Sequence, residues 1–282
     1  MSGWYGRVRA ILREANAVTT RNDLDLIAAG VAFYGLFSIF PALAATIAIL
    51  GLISDPVVVE AQLDLMRDVI PADVYAIFDD QIARLLSAGG GTLGWTTVVS
   101  VLVALWSARA GVGALMRGVN AIFGNPPRGG LRHLFAALVM TVSLIAVALV
   151  ALAAVVGAPI AIALLPENAP TARMLEGVRW IVALGVLLAA LAILYRYGPN
   201  SRGARGGWLT PGAIIALVLW FGASWAFSEY LSNFGRYNEV YGSLGAVIAL
   251  LMWFYISAYL ILLGAVFDVS LATRPADPTT SD

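Results

Sequence analysis

The sequence predicts an all-α polytopic integral membrane protein with six transmembrane helices and both termini on the cytoplasmic side. Three observations carry this: the composition, six long apolar stretches, and an alternation of arginine-rich with acid-rich connections. Of 282 residues, 60% are apolar and only 12% charged, and the mean hydropathy is +0.86. A soluble domain has about a quarter of its residues charged, because its surface faces water. Half that complement leaves a surface that lipid must cover. The chain has no cysteine and one histidine, His133. That composition excludes disulfides, thiolate sites and a histidine-built metal centre within one chain.

The elements follow in order. Residues 1–25 form a polar cytoplasmic segment carrying Arg7, Arg9, Arg13 and Arg21. The apolar stretch after it is too long for a signal-peptide core, so the segment is expected to be retained. Crossing a hydrocarbon core of roughly 30 Å takes about 20 apolar residues. Spans are predicted at 26–53, 93–108, 134–165, 178–197, 208–227 and 243–271, within a membrane domain of residues 26–272. The second is the shortest and relies on Trp95 and Trp106 as interfacial ends. The third, at about 48 Å if helical throughout, must tilt, kink or overrun the membrane. Gly157-Ala158-Pro159 is the expected break.

Two connections have patterns of their own. The first periplasmic loop, residues 54–92, reads as two amphipathic helices divided by Pro71-Ala72-Asp73. Val58, Leu63, Met66 and Ile70 mark one apolar face, and Tyr75, Phe78, Ile82 and Leu85 mark the next. They form either a lid on the outer interface or a gate over a cavity. Residues 109–123 read as a separate amphipathic piece following the second span, stopped by Phe123-Gly124-Asn125-Pro126-Pro127. Residues 273–282 are a short polar tail, expected to be disordered.

Arginine placement gives the orientation. All 17 basic residues are arginine, and the N-in, C-in arrangement puts 12 of them inside and five outside. The 54–92 loop carries Arg67 and Arg84 against seven acids, whereas the next connection holds Arg109, Arg117, Arg128 and Arg132 with none.

Ionisable groups at membrane depth are functional candidates because they are costly to keep there. None is expected in the middle of a span. Asp25, Arg109, Arg117, Asn120, Arg196 and Asp268 form a polar cluster at the cytoplasmic helix ends, which either ties those ends together or relays ions. In the first span Gly30, Tyr34, Ser38 and Pro41 share a stripe, suited to helix packing or to contact with a substrate. Pro41 also frees a backbone carbonyl. In the last span Ser257, Gly264 and Asp268 share a face. The outer segment 232–245 concentrates Asn233, Tyr237, Asn238 and Tyr241, more hydrogen-bonding capacity than a turn requires. It either lines a polar pocket or satisfies itself in a re-entrant turn. The candidate substrate contacts are therefore Tyr34, Ser38, Pro41, Asn233, Tyr237, Asn238 and Tyr241. No catalytic residue, metal site or cofactor is assigned.

Four ordered segments resemble the YihY/BrkB family of bacterial inner-membrane proteins. They are Ala32-Phe33-Tyr34-Gly35-Leu36-Phe37-Ser38-Ile39-Phe40-Pro41, Trp106-Ser107-Ala108-Arg109 with Arg117 and Asn120, Tyr195-Arg196-Tyr197-Gly198-Pro199-Asn200, and Ser232-Asn233-Phe234 through Tyr241-Gly242-Ser243-Leu244-Gly245-Ala246. The likeness covers residues 20–272. It implies six spans with both ends inside and a place in the inner membrane. Some members carry an old label as a tRNA-processing ribonuclease, and others are linked to serum resistance or envelope lipid traffic.

The residues do not support a ribonuclease, which needs clustered carboxylates or histidines for metal-dependent cleavage, or a paired acid and base without metal. No nucleophile–base pair for an intramembrane enzyme is visible either. The reading is a protein that transports or translocates an amphiphilic, lipid-like envelope substrate. The alternative is a non-transporting scaffold that docks an envelope protein through the 54–92 loop. Expected partners are membrane lipids and, for the scaffold, that envelope protein; nucleic acid is not one. No oligomeric state is assigned.

Overall fold

The computed structural model describes residues 2–53, 90–163, 170–200, 207–232 and 243–272. Among these residues there are seven helices and no strand: α1 (Ser2–Arg21), α2 (Leu24–Ile53), α3 (Gly90–Ile122), α4 (Gly130–Ala163), α5 (Pro170–Tyr197), α6 (Pro211–Ser232) and α7 (Ser243–Ala272). Five contain stretches long and apolar enough to cross a membrane: Val98–Ile122, Gly130–Val150, Trp180–Tyr197, Pro211–Leu231 and Val247–Ala272. A sixth is reached if the bent pair Arg9–Arg21 and Leu24–Ile39 counts as one span. The expected loop helices within 54–89, the outer segment 233–242 and the tail 273–282 lie outside the described residues.

The first departure from the sequence reading is at the N-terminus, where α1 turns the polar segment into a helix. Ala15 and Val18 are buried on its inner face, and Arg9, Arg13 and Arg21 are exposed on the other. The helix ends where Asp23 adopts a left-handed backbone, φ 47°. Such a conformation is tolerated best by Gly, Asn and Asp. Asn22 Nδ2 donates to Val18 O at 2.8 Å and satisfies a terminal carbonyl. The chain then restarts as α2 at 59° to α1.

The second departure is α3. Residues 93–108 and 109–123 are a single helix of 33 residues, about 50 Å long. Nothing at the 108/109 boundary breaks a helix, and of the polar residues beyond it Asn120 is buried and Arg117 exposed. Its glycines permit close packing. A Cβ on Gly111 would lie 3.5 Å from Tyr34 Cβ of α2, and one on Gly118 would lie 2.8 Å from Leu262 of α7 and 3.0 Å from Ile27 of α2. Gly113, on the other side, would meet His133 Nε2 at 3.3 Å and Ala137 Cβ at 3.5 Å on α4. Glycine weakens an isolated helix, yet here it lets α3 sit between α2, α7 and α4.

The expected break at Gly157-Ala158-Pro159 does not interrupt α4, which runs on to Ala163. A proline inside a membrane helix is tolerated where neighbouring groups or local adjustment compensate for its lost donor.

Helices α6 and α7 pack along their length. Trp220 Nε1 donates to Ser257 Oγ at 3.0 Å, and the Trp253 ring packs 5.5 Å from Trp220 and 5.2 Å from Phe227. Nearer the C-terminal end of α7 the backbones touch, because a Cβ on Gly212 would strike Gly264 O. Thus Ser257, Gly264 and Asp268 do share a face, and that face packs on α6. The buried core (Leu24, Met116, Val119, Leu262 and Val266 among others) draws on α2, α3 and α7.

Candidate functional site

The residues grouped as one polar cluster separate into a set of structural locks and one open site. The locks explain Asn120, Asp268 and Arg196. Helix α3 ends in a motif in which Gly124 N donates to Ala121 O (2.9 Å) and Asn125 N to Asn120 O (3.1 Å), with Gly124 at φ 64°. This is the Schellman arrangement, and a proline follows it as expected. Asn120, 8% exposed, uses its whole amide there. Its Nδ2 donates to Asn125 O (2.8 Å) and Pro126 O (3.3 Å), while its Oδ1 accepts from Asn200 N at 2.7 Å. Asn200 Nδ2 in turn donates to Pro126 O at 3.1 Å.

Beside it Arg128 donates to Gly198 O (2.6 Å), Pro199 O (2.9 Å) and Tyr197 O (3.0 Å), covering the carbonyls at the end of α5. Burial and the neighbouring Arg132 hold its pKa below the usual arginine value, and arginine stays charged nonetheless. Sequence reasoning counted Arg128 only as a positive-inside charge. A lone arginine after Pro-Pro gives no hint that three carbonyls lie 70 residues away.

Asp268 has a comparable task at α6. Thr210 is the N-cap, accepting from Ala213 N at 3.2 Å, and Pro211 takes the first helical position. Asp268 Oδ1 accepts the next free donor, Gly212 N, at 2.7 Å. Arg196 lies with its guanidinium 4.8 Å from the Trp208 ring and 5.9 Å from that of Tyr197, which are cation–π distances. Asp25 is exposed in the first turn of α2, where a carboxylate suits the helix dipole.

The open site is a cavity of about 140 Å³ lined by Tyr34, Arg109, Ala110, Gly113, Arg117 and His133. It has room for several waters, or for a small charged group with some hydration. It lies where α2, α3 and α4 meet. Arg109 and Arg117 are eight residues apart on α3, close to the same helical face. Arg117 Nη1 contacts His133 Nε2 at 3.1 Å. Arg109 stacks on Trp106 at 4.3 Å, and its buried Nε has no hydrogen-bond acceptor among the described residues. None of the six lining residues is acidic.

Position matters as much as charge. The uninterrupted α3 puts Arg109 13 residues from its Ile122 end, about 20 Å along the axis. Arg109 thus lies inside the continuous apolar stretch Val98–Ile122, where the sequence reading set it just beyond the end of the second span. Among the substrate-contact candidates, Tyr34 lines the cavity. Ser38 does not: its Oγ donates to Gly35 O at 2.7 Å within α2. The side chain of Pro41 lies outside the described residues, as do Asn233, Tyr237, Asn238 and Tyr241. His133 entered the sequence reading only as evidence against a histidine metal centre. Among the described residues no group of three or more histidine, aspartate or glutamate side chains is placed to hold a metal ion.

Two of the four segments that carry the family likeness meet at the cavity, through Tyr34 in the first and Arg109 and Arg117 in the second, while Asn120 of the second and Asn200 of the third join in the adjoining lock. Comparison with known proteins agrees. The family described as virulence factor BrkB matches residues 17–281. The chain is 28% identical over 275 residues to the ribonuclease-like protein YfkH of Bacillus subtilis (strain 168), covering 95% of this chain and 98% of that one. It is 31% identical over 116 residues to a UPF0761 membrane protein of Xanthomonas oryzae pv. oryzae (strain PXO99A), covering 39% of this chain and 27% of the relative. No solved structure matches. A bundle of apolar helices built around these motifs, matched along nearly its whole length, makes the chain a multi-pass membrane protein of the virulence factor BrkB family.

Proposed function

We propose that the protein binds the anionic head group of an amphiphile in the cavity between α2, α3 and α4 and moves that amphiphile across the inner membrane. One observation supports this above the others: two arginines and a histidine, on helices apolar enough to cross a membrane, line one cavity with no carboxylate among its lining residues. An arginine in mid-membrane costs about 2.5–3.5 kcal/mol on insertion scales. A purely structural arginine would meet an acid or a set of carbonyls, as Arg128 does. Arg109 meets a tryptophan face, and among the described residues its Nε has no acceptor and the cavity no negative charge. Tyr34 adds a hydroxyl suited to a phosphate or carboxylate oxygen. An N-in, C-in orientation would place the cavity toward the cytoplasmic half of the membrane, within reach of inner-leaflet lipids.

The test is binding of short-chain phosphatidylglycerol and phosphatidylcholine to purified protein in nanodiscs. A preference for the anionic lipid that falls at least about tenfold, or about 1.4 kcal/mol, in Arg117→Gln supports the reading. Equal binding of the two lipids, unaffected by Arg109→Gln and Arg117→Gln, refutes it. Proteoliposomes carrying a fluorescent anionic lipid then separate movement from binding: binding without movement favours the scaffold.

A further inference from the structure

We propose that the cavity takes up its anion together with a proton, which His133 carries. The inference rests on the anion-binding reading above and extends it from charge attraction to proton-coupled binding.

The contact between Arg117 Nη1 and His133 Nε2, at 3.1 Å, sets the starting state. Arginine only donates hydrogen bonds. Taken as a hydrogen bond, the contact makes Nε2 the acceptor, which a neutral ring with its proton on Nδ1 satisfies. Every charged group around the ring favours that state. Arg109 and Arg117 face it from α3, Arg128 from the segment before α4, and Arg132 precedes it on α4. Tyr34 of α2 is the other ionisable group on the cavity, and among the described residues no carboxylate lines it. The guanidiniums of Arg109, Arg117 and Arg128 make a further positive charge on the ring unfavourable.

An anion in the cavity reverses this. It pairs with Arg109 and Arg117 and draws the Arg117 guanidinium away from Nε2. The ring can then accept a proton there and has two acceptors to donate to: the anion, and the Gly113 carbonyl, which is within hydrogen-bonding reach of the ring. Gly113 makes the approach possible, since a Cβ at that position would lie 3.3 Å from Nε2. One proton enters as the anion enters, and it leaves when the anion leaves. The proton goes to Nε2, no covalent bond to a heavy atom changes, and a singly charged head group with its proton adds no net charge to the site. In linkage terms, binding tightens as pH falls through the histidine range, with a limiting slope of about tenfold per pH unit for one proton.

Short-chain phosphatidylglycerol is the probe, because a phosphodiester keeps one negative charge across the histidine range of about pH 5–8. Titration calorimetry on the intact protein in nanodiscs, run in two buffers of different ionisation enthalpy, counts protons taken up per lipid bound. The expected result is uptake of up to one proton, largest midway through the range, with affinity rising several-fold per unit fall in pH. In His133→Gln both the uptake and the slope vanish. Pairing by charge alone would give binding with no proton uptake in the wild-type protein, and that overturns the proposal while leaving the anion site standing. Uptake that persists in His133→Gln assigns the proton elsewhere and overturns it too. No binding at any pH removes the anion site and the coupling together.

Discussion

Gly264→Ala is the most direct test of the helix packing that holds this bundle together. A Cβ at Gly264 would lie 2.6 Å from both Ala216 Cβ and Gly212 O, and would also strike the Tyr195 hydroxyl. Neither partner helix can easily retreat. Gly212 N is tied to Asp268 at 2.7 Å, and Tyr195 donates its hydroxyl to Ile261 O at 2.5 Å, which anchors α5 on α7. Overpacking of this kind costs about 1–3 kcal/mol, and displacing the Tyr195 hydrogen bond adds about 1 kcal/mol. Against this, replacing a helical glycine by alanine gains about 0.5–1 kcal/mol. The net expectation is a loss of about 2–3 kcal/mol, the clash outweighing the gain in helix propensity. The same exchange at Gly185 supplies the control, because a Cβ there meets nothing within 4 Å and only the propensity gain remains. Equilibrium unfolding in mixed micelles, followed by far-ultraviolet dichroism, should place Gly264→Ala below wild type and Gly185→Ala at or slightly above it. Ala216→Gly should restore part of the loss in the Gly264→Ala background. A Gly264→Ala protein as stable as wild type would mean that α6 and α7 do not meet through these glycines.

Arg128→Lys is expected to destabilise the bundle nearly as much as Arg128→Ala, by about 2–3 kcal/mol, since an ammonium cannot spread over three carbonyls as the guanidinium fork does; unfolding midpoints of the two variants check this. Asn120→Asp should cost more than Asn120→Ser. The aspartate keeps an acceptor for Asn200 N but turns its other oxygen on Asn125 O and Pro126 O, and thermal melting of both variants reads the difference. Asp268→Asn retains an acceptor for Gly212 N and is expected to lose under about 1 kcal/mol, whereas Asp268→Ala leaves that donor unmet and loses about 1–2 kcal/mol. Amide exchange at Gly212, faster in Asp268→Ala than in Asp268→Asn, would report the open helix end directly.

The membrane body was legible because its signal is carried by many residues at once. Long apolar stretches and arginine-poor segments survive errors at their edges, and α5 ends at Tyr197, where the predicted fourth span ends. What escaped is pairwise. Gly212 and Gly264, or Arg128 and Gly198, are separated by dozens of residues, and nothing in one sequence marks them as neighbours. The α3 boundary failed for a related reason. Hydropathy averaging ends a span at its first charge, so Arg109 was placed outside the membrane and Arg109–Phe123 became a separate piece. The glycine spacing on α3 held a clue. Gly111 and Gly118 repeat at seven residues, the period of a face packed on neighbours. Helix α1 escaped because its apolar face is narrow and its arginines made it read only as a polar segment.

The cavity stands out by contrast with the locks beside it. Arg128, Asn120 and Asp268 lie at helix ends and spend their hydrogen bonds on backbone groups that would otherwise go unmet. Each is explained by the fold alone. Arg109 and Arg117 sit along the body of α3, where the backbone satisfies itself, and so their charge answers no demand of the helix. A helix that needed only to pack against α2 and α4 would have no use for a charge at either position. Trp106 shields one face of Arg109, and Gly113 clears space before His133, so the surroundings accommodate the charges without cancelling them. Charge that the structure positions but does not neutralise is charge available to a ligand, and this is the physical ground for looking to an anion at this site before any other.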